Sequence, residues 1–143
     1  MTSPHRPARD RGSMSVFVVI FSLAVILLAG LLVDGGAAIN ARLKAADIAE
    51  QAARGAADQI DVALLRNTGQ VRIVGDDDVV CGKAQQIVDA QATEGVEMDD
   101  CSPTPTEVTV VVSAHWDTVF LSMLGFDSYD MEGSAIAAPD EGA

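Results

Sequence analysis

His115, Asp117 and Ser113 supply an imidazole, a carboxylate and a hydroxyl within five residues, the side chains of a hydrolytic triad. Residues two apart on a strand share a face, but they stand in a row and do not converge on one atom as a triad must. His115 is therefore expected on a half-exposed strand. The other histidine, His5, lies on the far side of a long apolar segment and has no access to it. Asp76-Asp77-Asp78 is the one run that suggests a metal. Calcium loops alternate their acidic ligands and end in a distal glutamate, whereas adjacent aspartates point different ways. A solvated turn is the expected role. The sequence contains no glycine-rich phosphate loop, HExxH or nucleophile elbow. No catalytic residue, metal or cofactor is expected, and the chain reads as structural and not enzymatic.

Cys81 and Cys101 are the two cysteines. Their spacing excludes a CxxC redox pair, and two thiols without nearby histidines are poor zinc chemistry, which wants four ligands. In an exported segment they are expected to form a structural disulfide. Closing a loop of about 20 residues contributes on the order of 3 kcal/mol in the chain-entropy account.

Export follows from the element that precedes them. Met14 to Val33 is an uncharged run of twenty residues interrupted by two serines and one glycine. At about 1.5 Å per residue, roughly 20 such residues cross a hydrocarbon core of about 30 Å. Arg6, Arg9 and Arg11 precede it, and Asp34 follows. Basic flanks stay in the cytoplasm, so a single-pass protein is expected, with its N-terminus inside and its C-terminal domain outside. A cleaved signal has a shorter apolar region, although Gly36-Ala37-Ala38 has the small residues of a cleavage site.

Charge divides at the same place. Residues 1–13 carry a net of +2, which leaves −14 for the rest of a chain whose total is −12. Lys83 is the last cation, and twelve carboxylates follow it. Such a surface repels nucleic acid and anionic lipid and favours solubility outside the cell. About 110 residues lie beyond the run, enough for one small domain whose core alone is marginal.

Four segments are expected: a basic tail over 1–13, a transmembrane helix over 14–33, an alanine-rich amphipathic stalk helix over 34–66, and an exported acidic α+β domain over 67–143. In the stalk, Ile39, Leu43, Ala46, Ala53, Ala57, Ile60 and Leu64 recur at steps of three and four and form a packing seam. Either a partner helix or the chain's own domain satisfies that stripe. If the helix runs through Gly35-Gly36, residues 14 to 66 form one rod of about 80 Å. After Asn67-Thr68-Gly69, Gln70–Val74 reads as a short strand, residues 83–92 as a helix and 95–98 as a strand. Residues 107–117 form the strongest strand, 118–125 an apolar connector and 129–137 a last strand. The fold class is α+β: a long helix feeding a small disulfide-linked domain with a mostly antiparallel sheet.

Arg11-Gly12-Ser13-Met14-Ser15-Val16 opens the apolar helix, Leu32-Val33-Asp34-Gly35-Gly36 closes it, and the alanine-rich run Ala45–Ala57 follows. This order resembles the TadE/TadG-like family of the tight-adherence (Flp) pilus apparatus. The valine-rich strand, Phe120–Phe126 and the closing Ala135-Ile136-Ala137-Ala138 are more loosely similar. The resemblance implies a small pilin-like envelope protein: a minor pilin, a pseudopilin or an assembly factor of the bacterial cell membrane. Processed prepilins carry a glutamate five residues beyond the cleaved glycine; five beyond Gly12 stands Phe17. The pattern fits an uncleaved, TadG-like accessory protein better than a major pilin. The expected partners are the membrane and other pilus or envelope proteins met through helix packing, in a homo- or hetero-oligomer, with no nucleic acid. The alternative is a secreted binding domain released by cleavage of the apolar run.

Overall fold

The computed structural model describes residues 11–91 and 95–140, with side chains described from residue 14. Most of the basic tail, including His5, lies outside the described residues.

Helix α1 runs unbroken from Arg11 to Ala57, 47 residues and about 70 Å of rise. It contains the apolar run, passes through Gly35-Gly36 and ends in the alanine-rich segment. Over 14–33 its side chains are exposed, Phe21 by 59% and Leu28 by 66%, and Gly30 alone of these positions is buried. Ser22, inside the run, returns its hydroxyl to Val18 O at 2.7 Å, which leaves no free donor on an apolar surface. Helix α1 is long and apolar enough to cross a membrane by length and composition.

The helix stops nine residues short of the expected Arg66. Asp61 caps a separate helix α2, Val62–Thr68, by accepting from Leu64 N at 2.9 Å. A carboxylate engaged as an N-cap holds its own backbone extended and interrupts the preceding helix. Gly69, at φ 74°, ends α2. The expected strand at 70–74 is reduced to one bridge between Ile73 and Ile60. Its amides divide between two acceptors, Ile73 N to Pro105 O and Val74 N to Gln59 O, so no ladder forms.

Helix α3 spans Asp77–Gln91. The aspartate run is its N-terminus: Asp76 Oδ1 accepts from Asp78 N at 3.1 Å, and Asp77 and Asp78 occupy the first turn, where carboxylates suit the helix dipole. Strands β1 (Val96–Pro103), β2 (Val108–Asp117) and β3 (Ser128–Ala137) form an antiparallel sheet in the order β1-β2-β3. Val108, Val110, Val112 and Ala114 are buried on the inner face of β2, and the alternate residues lie outward. The register shifts between Met98 and Asp100. That extra residue restores Cys101 to the inner face two strand positions after Met98, as a bulge does.

The core joins Ala45, Ile48, Ala49, Ala52, Ala53, Ala56 and Ala57 of α1 to Val80, Ala84 and Val88 of α3 and the inner valines of β2. The sequence divides a stalk at 34–66 from a domain at 67–143, but this core draws on both sides of that line. The second half of α1 is thus the central element of the folded domain.

Candidate functional site

Close approach explains the alanines. A Cβ on Gly133 of β3 would fall 2.5 Å from Ala46 Cα and 2.6 Å from the Ala45 carbonyl carbon, so strand and helix meet backbone to backbone. Gly55 gives way in the same manner to the Ile87 side chain of α3. Cys81 of α3 and Cys101 of β1 are disulfide-bonded, with Cα atoms 5.8 Å apart, and tie α3 to the sheet edge.

The seam positions divide into three groups. Ala53 and Ala57 are in the core and Ala46 is half-buried beside Gly133. Ile60 and Leu64 are half-buried beyond the end of α1, in the bridge and in α2. Ile39 and Leu43 project from α1 between the apolar run and the core, 63% and 62% exposed.

One residue absent from the expected set organises this end of the molecule. Asp34, the first charge after the apolar run, is 1% exposed. Its carboxylate accepts from the amides of Val119, Phe120 and Leu121 at 2.9, 3.0 and 2.7 Å. These donors open the 3-10 turn Leu121–Leu124, where unpaired N–H groups converge on an anion. Below the clamp, a Cβ on Gly30 would lie 2.7 Å from Phe120 Cγ, so the phenylalanine ring rests on the helix where glycine leaves room. The sequence signal was a buriable charge placed directly after an uncharged run; its partner, over 80 residues away, carried none.

On the outer face of the sheet, His115 Nδ1 lies 2.8 Å from Asp130 Oδ1, its cross-strand partner, and Nε2 lies 3.6 Å from Asp117 Oδ1. The hydrogen bond to Asp130 raises the His115 pKa above its ordinary 6.5; partial loss of water opposes this, and the charges of Asp130 and Asp117 reinforce it. Ser113 turns to Asp99, at 3.0 Å, so the hydroxyl, imidazole and carboxylate form no relay. Among the described residues, no group of three or more His, Cys, Asp or Glu side chains is placed to hold a metal ion.

The geometry is that of a long apolar helix built into a small domain and clamped at their junction. Residues 12–59 match the family model for Flp pilus-assembly TadE/G-like proteins. The match covers the apolar run, Asp34 and the alanine-rich core segment, nearly all of α1 and about a third of the chain. Neither the curated proteins nor the solved structures give a match. The similarity to TadE/G-like pilus-assembly proteins thus lies in the helix.

Proposed function

We propose that the chain is a non-enzymatic, membrane-anchored component of a Flp-type pilus or related secretion machine, acting as a minor pilin, pseudopilin or assembly factor. The observation that carries this is the single helix α1, matched over most of its length by the TadE/G-like model, bare over 14–33 except at Gly30 and packed over 45–57. The bare part anchors in the bilayer with the N-terminus in the cytoplasm. The packed part holds the acidic domain outside, and Ile39 and Leu43, exposed between the two, offer contacts to partner helices.

Asp34 favours retention of the anchor. Cleavage after Gly36-Ala37-Ala38 would remove the acceptor of the Val119–Leu121 amides and uncover Phe120. Intact-mass measurement of the mature protein tests this: a start near residue 1 supports the anchor, one at Ser13 supports prepilin processing, and one near Ile39 supports a secreted domain. For the pilus role, Ile39→Ser with Leu43→Ser should abolish co-purification with pilus proteins while leaving the domain folded. Undiminished association would remove those residues from the interface.

A further inference from the structure

The connector between β2 and β3 is apolar and outward-facing beside the proposed anchor. Thr118 to Phe126 contains no charged residue. Val119 is 62%, Met123 84%, Leu124 66% and Phe126 52% exposed, an unfavourable display if the loop stood in water. The clamp at Asp34 and the seat of Phe120 on Gly30 hold it against α1 where the apolar run ends. Gly30 lies about 6 Å down the helix axis from Asp34, within the run itself.

We propose that Thr118–Phe126 is a second membrane-inserting element, its apolar side chains lying in the interfacial layer of the bilayer that α1 crosses. This rests on the anchored reading of α1. Non-helical backbone is tolerated at such a depth only where its polar groups are satisfied by protein. Here Val119, Phe120 and Leu121 donate to Asp34, Met123 to Phe120 O, Gly125 to Ser122 O and Phe126 to Leu121 O. The Thr118 hydroxyl and amide close the base of the loop on Phe126 O and Asp127 O. Tyr129, 42% exposed and packed on its cross-strand partner Trp116 with ring centroids 6.4 Å apart, is an amphipathic aromatic beside the loop, of the kind that marks a membrane surface. Asp117 and Asp127 bound the loop at its two ends, where the chain returns to water. The bilayer, and not a protein, is the occupant because the apolar surface is continuous with that of Met14–Val33.

The test uses the full chain in phosphatidylcholine vesicles, with the single native tryptophan removed by Trp116→Phe. Tryptophan is then introduced by Met123→Trp, or independently by Leu124→Trp, with Leu23→Trp and Ile136→Trp as references. Lipids brominated near the headgroup should quench most of the emission at positions 123 and 124, with a blue shift. Lipids brominated near the chain ends should quench position 23, at the middle of the apolar run, and neither should quench position 136. Quenching at 23 with none at 123 or 124 overturns the loop insertion and leaves the anchor intact. Blue-shifted but unquenched emission at 123 and 124 indicates a second copy covering the loop and likewise overturns it. No quenching at any position overturns the anchor, and the insertion with it.

Discussion

Gly133 of β3 lies against the backbone of α1 at Ala46, with no room between them for a methyl group. Backbone, unlike a flexible side-chain end, cannot move aside locally, so Gly133→Ala must push the strand off the helix. Overpacking of this kind costs about 1–3 kcal/mol. Urea denaturation followed by circular dichroism should show the loss; an unchanged midpoint would refute the backbone contact.

The Asp34 clamp makes a local prediction. Asp34→Ala leaves three amides without their acceptor, and an unsatisfied buried donor costs about 1–3 kcal/mol. Hydrogen exchange at Val119–Leu121 should accelerate while β2 and β3 stay protected. Asp34→Asn, which keeps one carbonyl oxygen, should fall between. Slow exchange in both variants would show that the loop is held by something else.

Reduction should act on the other side of the domain. Replacing both Cys81 and Cys101 by Ala frees α3 from β1 and should lower stability by about 3 kcal/mol in the chain-entropy account. Paired thermal unfolding of the oxidised protein and the double variant measures it. Coincident curves would mean that the disulfide adds nothing to the packing of Val80, Ala84 and Val88.

The His115–Asp130 pair predicts a pH dependence of defined sign. The folded-state pKa of His115 is raised, so its contribution is complete below the ordinary value of 6.5 and is lost as pH rises through the raised value. Wild type should therefore exceed Asp130→Asn in thermal midpoint at about pH 5.5, and the gap should narrow by about pH 8.5. A gap that is constant or widens with pH would contradict the pairing.

Much of this fold can be read from composition and period, and the failures have physical causes. The alternating valines of β2, the apolar run and the disulfide were legible because each depends on local pattern or on two unique residues. The buried face of α1 was legible only at Ala53 and Ala57. Ile39 and Leu43 drew the expected stripe to one side, whereas the core uses a face about a quarter turn away, through Ala45, Ala49, Ala52 and Ala56. Size misleads where a sheet backbone must touch a helix, because contact then selects the smallest side chains. Asp34 and Phe120 were missed because their meanings lie in each other's neighbourhood, brought together only by the complete fold.

Because α1 is one continuous helix from its apolar half into the core, it transmits angle as well as position. Asp34 and Ala45 are eleven residues apart, three turns within about 20°, so clamp and core occupy one azimuth. The folded domain is keyed to the rotation of the apolar half of α1 about the helix axis. Inserting a single residue at Gly36, where nothing crowds the helix, would turn the domain by about 100° relative to the anchor and pull the loop from its seat. On the proposed anchoring, a partner gripping the apolar half of α1 would thereby set the heading of the acidic domain.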